Sequence, residues 1–126
     1  MIYLDTHVAA WLFAGEVELL PASVRELIEA DRCLVSPMVE LELQYLHEIG
    51  RLTVPGEEIV SALGRELGLV RCALPFAQVV AGALGNDWTR DPFDRLIVAQ
   101  AAVRRTPLLT ADTTIHDHYP AAVWGT

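Results

Sequence analysis

Four acidic residues carry the strongest indication of chemistry in this sequence: Asp5, Glu42, Asp94 and Asp112. Two of them closely follow short apolar runs, and the other two fall on helical faces that are otherwise apolar. A buried carboxylate is costly unless a partner compensates for its lost hydration, and several carboxylates together repel one another. A divalent cation removes that conflict, and oxygen ligands without histidine or cysteine favour Mg²⁺ or Mn²⁺. The chemistry that fits such a site is metal-assisted hydrolysis of a phosphodiester, with one ion or two.

Glu42 is distinguished from its near neighbour Glu40 by helical geometry. The residues that share a face with Glu42 are apolar, namely Met38, Tyr45, Leu46 and Ile49. The face of Glu40 is more polar and holds Ser36, Leu43, Gln44 and His47. We therefore predict that Glu42 points towards the core and that Glu40 is solvated. The alternative for Glu42 is a buried ion pair with an arginine.

Asp94 shares its predicted helical face with Ile97, Val98 and Ala101, which again places a carboxylate among apolar residues. It is also the third helical position after Asp91, so its alternative role is a capping-box-like partner that bonds back to the cap residue. Asp91 stands immediately before a proline, and we predict that it is the N-cap of this helix. An N-cap explains Asp91 without any catalytic role.

Asp5 and Asp112 also have purely structural alternatives. Asp5 is followed by a predicted helix that it could cap, and Asp112 precedes Thr113, where it could form an N-cap or an Asx-turn. Each alternative is acceptable alone. The combination of two aspartates after strands with two acids on apolar helix faces is what favours a shared site.

Short strands that alternate with helices are predicted around these residues. The predicted helices cover residues 7–14, 21–31, 37–49, 56–67, 75–84 and 91–105, on the basis of apolar spacing, cap residues and glycines beyond helix ends. The predicted strands cover residues 2–4, 33–35, 69–73 and 107–110, with a last one at 122–124. This alternation predicts an α/β fold with a mainly parallel sheet, in which function gathers beyond the carboxyl ends of the strands.

The composition predicts a single domain over residues 1–126, because about half of the residues (52%) are hydrophobic and one core can form. No apolar run approaches the roughly 18 residues of a membrane span, and the first residues show no secretory pattern. The two cysteines, Cys33 and Cys72, lie far apart in apolar surroundings, so we predict buried reduced thiols. These features together favour a cytoplasmic protein.

The net charge of −8 is unusual for a protein that binds nucleic acid. All nine basic residues are arginines, and arginine is well suited to bidentate contacts with phosphate. A small arginine patch could therefore still hold RNA. Two alternatives remain, since divalent cations could neutralise part of the acidic surface or the main partner could be a basic protein.

The sequence resembles the PIN-domain ribonucleases, and more closely the VapC-like toxins of toxin–antitoxin pairs. The resemblance covers nearly the whole chain and rests on the segments IYLDTHVAAWL, SPMVELELQYLHEIGRL, DPFDRLIVAQA and LLTAD. It implies a three-layer α/β/α fold with a mostly parallel sheet. It also implies that the acidic quartet of Asp5, Glu42, Asp94 and Asp112 binds Mg²⁺ or Mn²⁺ and catalyses cleavage of RNA.

The same resemblance implies further roles. Thr6 and Thr110 fall where the family often has hydroxyl residues near the metal, and Asp91 is a candidate auxiliary acid. The expected partners are an RNA substrate, a VapB-like antitoxin and a second copy of the chain, with residues 75–84 as a candidate dimer interface. The resemblance does not identify the RNA target or the residues that bind it.

Other functions stay open at this point. The chain could be a PIN-domain nuclease of RNA processing that is not a toxin, or a non-catalytic module that binds RNA or protein. A receiver-like or haloacid-dehalogenase-like phosphoryl-transfer domain is disfavoured, because such families use a lysine and this sequence has none. The haloacid-dehalogenase type also requires two aspartates separated by one residue after the first strand, and only Asp5 is present there.

Several other residues have weaker functional claims. Arg95 could contact phosphate, but we predict that it pairs with Asp91, four residues earlier. His7 is a candidate substrate contact because it closely follows Asp5. The tryptophans could stack on bases, but we predict that they serve the core or an interface, and they are Trp11, Trp88 and Trp124.

Overall fold

A computed structural model describes residues 1–125 and shows a central sheet covered by helices. The strands are β1 (Ile2–Leu4), β2 (Cys33–Val35), β3 (Val70–Arg71), β4 (Leu108–Leu109) and β5 (Ala122–Val123). The helices are α1 (Thr6–Ala14), α2 (Ala22–Ala30), α3 (Pro37–Glu48), α4 (Gly56–Leu67), α5 (Phe76–Ala83), α6 (Pro92–Ala102) and α7 (Thr113–His118). A 3₁₀ turn at Val17–Leu19 lies between α1 and α2. The predicted α/β alternation is confirmed.

The five strands form one parallel sheet in the order β3-β2-β1-β4-β5. The chain runs from β1 outwards through β2 to β3, and then returns to place β4 on the other side of β1. β1 and β4 pair with Leu4 opposite Leu109. The strand order therefore reverses between β1 and β4, and in open parallel sheets such a reversal opens a crevice at the carboxyl ends of the strands.

The sheet is the centre of the core. Every residue of β1, β2 and β4 is buried, as expected for parallel strands that are covered by helices on both faces. This arrangement confirms the predicted three-layer α/β/α fold. Cys33 and Cys72 are both buried and free, as predicted, and the Tyr3 hydroxyl donates a hydrogen bond of 2.8 Å to the Cys72 sulfur.

The ends of several elements differ from the predictions. The strands β3, β4 and β5 are two residues long and are therefore shorter than predicted, although the flanking Cys72 N–H and Pro107 carbonyl also form hydrogen bonds between strands. Helix α6 ends at Ala102, three residues before the predicted end, and Arg105 in the following turn has a left-handed backbone with φ 52°. The short helix α7 was not predicted. The predicted domain extends to residue 126, which lies outside the described residues.

The prediction that the Glu42 face of α3 points towards the core is wrong. The buried residues of α3 are Val39 and Leu43, whereas Tyr45 and Ile49 are 48% and 50% exposed. A helical wheel shows that α3 has apolar residues on more than one side, but it does not show which side the rest of the chain covers. Helix α4 covers the other side, where Gly56 packs directly against the α3 backbone.

No helix within residues 1–125 has the length and apolar character that crossing a membrane would require. The longest helices, α3 and α4, have 12 residues each.

Candidate active site

A cleft of about 380 Å³ lies where the strand order reverses. Its lining is predominantly acidic and consists of Asp5, His7, Trp11, Glu42, Asp91, Asp94, Ala111 and Asp112. All four acids that the sequence singled out line this cleft, although they come from four separate segments of the chain. The auxiliary candidate Asp91 lines it as well.

Asp5 follows the last residue of β1 and is only 6% exposed. Its Oδ1 accepts a hydrogen bond of 2.8 Å from the Thr6 backbone N–H at the start of α1, so the N-cap role considered from the sequence is realised. Its Oδ2 accepts a bond of 2.6 Å from the Thr110 hydroxyl, which follows β4. The Asp5 carboxylate thus links the end of β1 to the residue that follows β4, at the point where the strand order reverses.

Glu42 is half-buried on α3, and its carboxylate accepts a hydrogen bond from the fully buried Thr6 hydroxyl. The ion pair with an arginine, considered from the sequence as an alternative for Glu42, is formed by Glu40 instead. The Glu40 carboxylate accepts bonds of 2.6 and 2.9 Å from the Arg71 guanidinium. The prediction that Glu40 is simply solvated is therefore wrong, because this partly buried side chain forms an ion pair.

Asp94 is half-buried in the first turn of α6. The capping-box alternative is not realised, because the Asp91 backbone N–H donates to the Thr89 hydroxyl (3.2 Å) and not to Asp94. Asp91 itself is the N-cap, as predicted, and accepts a bond of 2.9 Å from the Phe93 N–H. Within residues 1–125 we find no hydrogen bond to the Asp94 carboxylate.

Asp112 is the N-cap of α7, which confirms its structural alternative. Its Oδ1 accepts bonds of 2.8 and 3.1 Å from the backbone N–H groups of Thr114 and Ile115. Its own backbone N–H donates to the Thr110 hydroxyl, at 3.1 Å. Asp112 nevertheless lines the cleft, so capping and a role in the cleft coexist in one side chain.

The electrostatics of the cleft favour uptake of positive charge. Burial raises the pKa of Asp94 from 3.8 to about 7, and the charges of Asp91, Asp5 and Glu42 act in the same direction. Burial also raises the pKa of Glu42 and of Asp5, although the threonine hydrogen bonds oppose that rise. Since no arginine lines the cleft, a proton or a cation would relieve the repulsion.

The donor set fits a hard divalent cation, because it consists of carboxylate oxygens. In the part of the chain that the structure describes, no three acidic, histidine or cysteine side chains already converge closely enough to hold an ion. Mg²⁺ is commonly held by one or two carboxylates, with water completing its coordination. An open acidic cleft suits that mode of binding better than it suits a closed cage of protein ligands.

Near the cleft, Arg95 departs from its sequence-based interpretation, and His116 and Trp11 show contacts that were not predicted. Arg95 donates to the backbone carbonyls of Ala83 and Leu84 (3.2 Å each), so the predicted pair with Asp91 does not form. The His116 Nε2 lies 2.6 Å from the Thr110 carbonyl oxygen, a contact between α7 and the end of β4 that the sequence did not indicate. Trp11, predicted to serve the core or an interface, also lines the cleft, and its four-residue spacing from His7 was the signal available for it.

Comparison with known proteins gives consistent matches. The sequence model of the PIN domain matches residues 2–119. The chain is 31% identical to "Ribonuclease VapC22" of Mycobacterium tuberculosis, and the alignment covers 98% of each protein.

Solved structures show the same fold. A chain in a toxin–antitoxin complex from Klebsiella pneumoniae superposes with a TM-score of 0.67 at 17% identity, covering 98% of this chain and 96% of that one. A chain of VapBC2 from Rickettsia felis, bound to a promoter DNA fragment, gives a TM-score of 0.59 at 16% identity with the same coverage. At these identities the likeness concerns the fold alone.

Proposed function

The chain belongs to the PIN domain family, and we propose that it is an endoribonuclease that depends on Mg²⁺ or Mn²⁺. The observation that carries the proposal is the meeting of Asp5, Glu42, Asp94 and Asp112 in one cleft without an arginine among its lining residues. RNA is proposed as the substrate because the 31% identical relative is named a ribonuclease. The whole described chain is proposed to act as one domain.

In this proposal the chain's own residues hold the acids in place. The Thr110 hydroxyl and the Thr6 backbone N–H fix one oxygen each of Asp5, and the Thr6 hydroxyl holds Glu42. Asp94 and Asp112 complete the ligand set, and Asp91 adds negative charge at its edge. A bound divalent cation would supply Lewis-acid activation of water and of the phosphodiester.

The first test measures cleavage of single-stranded RNA by the purified chain. We expect cleavage with Mg²⁺ or Mn²⁺, none in excess chelator, and recovery when the metal is restored. Glu42→Gln should abolish cleavage because it removes a charged oxygen from the cleft, while Glu40→Gln serves as the matched control on the same helix. Glu40 pairs with Arg71, so its loss should leave most of the activity.

Two results would contradict the proposal. Cleavage that survives the chelator would eliminate the metal mechanism. An active Glu42→Gln together with an inactive Glu40→Gln would show that the wrong glutamate has been assigned to the cleft. Circular dichroism of both variants establishes that they are folded.

We further propose that the chain is the toxin of a toxin–antitoxin pair, with a VapB-like protein as its partner. The VapC name of the relative supports this role, and a basic partner would suit the net charge of −8. A homodimer is also part of the proposal. It is supported by two exposed apolar side chains at the two ends of α5, Phe76 at 67% and Leu84 at 73% exposure.

A further inference from the structure

One side of the cleft is aromatic. His7 and Trp11 line it together with the acids, and their spacing of four residues places them on the same face of α1. Their ring centroids are 6.0 Å apart, with an angle of 47° between the ring planes. His7 is exposed and Trp11 is half-buried, so the indole is only partly enclosed by the core.

Trp11 is held in place by a second indole. Its ring lies 5.8 Å from that of Trp124, at an angle of 50°, and Trp124 immediately follows β5. Both tryptophans pack against the main hydrophobic core. Two indoles in contact form a rigid apolar surface, and Trp11 is the one that lines the acidic cleft.

A flat apolar ring beside carboxylates is poorly explained by the acids' own chemistry. An indole contributes no oxygen ligand for a hard cation, so this side of the cleft does not help to bind one. A nucleotide fits this combination, because a cation can join its phosphate to the carboxylates and its base has a flat apolar face that can lie on an indole. The cleft volume of about 380 Å³ lies within the roughly 300–1,000 Å³ range of small-ligand sites.

We propose that Trp11 is a base-stacking residue. The nucleobase next to the phosphate that is held at the carboxylates stacks on the Trp11 indole. Trp124, which follows β5, supports this indole, and His7 borders it. This inference rests on the proposed ribonuclease function and adds to it the substrate contact. Because every base has a π-face, such stacking tolerates sequence variation and does not by itself choose the RNA target.

Trp88 is a matched control within the same chain. Its ring stacks on His118 at 4.8 Å with 6° between the planes, and it does not line the cleft. A substitution at Trp88 therefore removes an indole of equal size without removing the proposed contact.

The test titrates the full chain, in Mg²⁺, with adenosine 5′-monophosphate and with ribose 5-phosphate, which lacks the base. Indole N–H signals in NMR spectra report on each tryptophan, and the variants are Trp11→Leu, Trp11→Phe and Trp88→Leu. We expect the nucleotide, and not ribose 5-phosphate, to shift the Trp11 signal while the Trp88 signal stays in place. Trp11→Leu should weaken nucleotide binding roughly tenfold, as expected for one lost stacked base.

Trp11→Phe keeps a flat ring and should retain most of the affinity, and Trp88→Leu should bind like the unmodified chain. Equal affinity for the two ligands, equal shifts of Trp11 and Trp88, or an undiminished affinity of Trp11→Leu would overturn the inference. Failure of the nucleotide to bind would overturn it too. If Trp11→Leu does not fold, the inference is tested by the signal shifts of the unmodified chain and by the affinity of Trp11→Phe.

RNA cleavage measured in parallel separates this inference from the proposed function. Metal-dependent cleavage without a Trp11 contact would leave the ribonuclease standing and remove the stacking role. A base-dependent Trp11 contact without any RNA cleavage would remove the ribonuclease and leave a nucleotide-binding cleft.

Discussion

Thr6 and Thr110 place hydroxyl groups against two acids of the cleft, Glu42 and Asp5. Both threonines are fully buried, so these bonds form where water does not compete. A hydrogen bond to a carboxylate favours its charged form and partly offsets the cost of burying it. The threonines thus keep acids available in a cleft where an arginine would have cancelled their charge.

The four candidate acids could be chosen from the sequence, but the contacts that surround each acid could not be predicted from it. Glu42 was chosen over Glu40 because its helical face is apolar, yet that face is only partly buried and borders the cleft. The Arg71 partner of Glu40 comes from a strand 31 residues away, and pairing over such a distance depends on the folded arrangement. For Asp112 the cap was predictable, since the residues that follow it are local.

The raised pKa of Asp94 predicts how stability depends on pH. Asp94 binds its proton more tightly in the folded chain than in the unfolded one, where the pKa is close to 3.8. The resulting stabilisation is complete below pH 3.8 and is lost as the pH rises to about 7. In metal-free buffer we therefore expect Tm to be lower at pH 8 than at pH 5, as measured by calorimetry.

Asp94→Asn should reduce this decline in Tm, and it should raise Tm at pH 8. Asp5 and Glu42 have pKa shifts of the same sign, so part of the decline should remain. Asp117→Asn, at an exposed position of α7, is the control. A decline that is identical in the unmodified chain and in Asp94→Asn would contradict the assignment of the repulsion to Asp94.

Helices α3 and α4 meet at a close approach of their backbones. A Cβ atom on Gly56 would lie 2.4 Å from the Glu40 carbonyl oxygen and 2.8 Å from the Gln44 backbone nitrogen. The Gly56 N–H also donates a bond of 3.1 Å to the Gln44 side chain. The first turn of α4 thus fixes the position of α3, the helix that carries Glu42.

Gly56→Ala should lower the free energy of unfolding by about 1–3 kcal/mol, because the backbones must separate to admit a methyl group. It should also lower RNA cleavage, since a displaced α3 moves Glu42 within the cleft. Gly64→Ala is the control in the same helix, because a Cβ there would meet only the Leu69 carbonyl oxygen, at 3.4 Å. Denaturant unfolding of both variants provides the measurement.

If Gly56→Ala is as stable and active as the unmodified chain, the two helices do not constrain each other as described. Gly64→Ala should equal or exceed the unmodified chain in stability, because alanine favours a helix interior more than glycine does.

Element boundaries were predictable wherever a local signal sets them. Asp91 is the N-cap of α6 as predicted, Ser36 caps α3, and Gly68 ends α4 in the left-handed conformation. Helix α7 was missed because it has only six residues, too few for an apolar period to be recognised. The buried side of α3 depends on which other elements pack on it, and this information is not local.

For the whole molecule, strand order is the feature that the sequence did not provide. The alternation of strands and helices predicts a parallel sheet, but it is compatible with more than one order. The observed order brings Asp5 beside Thr110, which is 105 residues away. The residue types and local patterns were enough to propose the four acids as a set before the fold was known. Their hydroxyl partners, Thr6 and Thr110, were indicated only by the family resemblance.

Expression of the chain without its partner should arrest bacterial growth if the proposed toxin role is correct. Asp94→Asn should be harmless at the same protein level, because the arrest requires the acidic cleft. Growth curves with quantitative immunoblots provide the measurement. Normal growth with an enzyme that cleaves RNA after purification would count against the toxin role but not against the nuclease.

The pairing of β1 with β4 has a consequence for the time at which the cleft appears during synthesis. A nascent chain that has emerged only as far as α6 already contains Asp5, Glu42 and Asp94, but it lacks the strand that must lie beside β1. Contacts between distant parts of a chain form slowly, because their loop-closure entropy is lost before the contact is gained. The cleft therefore cannot be complete before β4 has emerged and paired with β1, and a ribosome that has released the chain only as far as α6 is not exposed to a complete cleft.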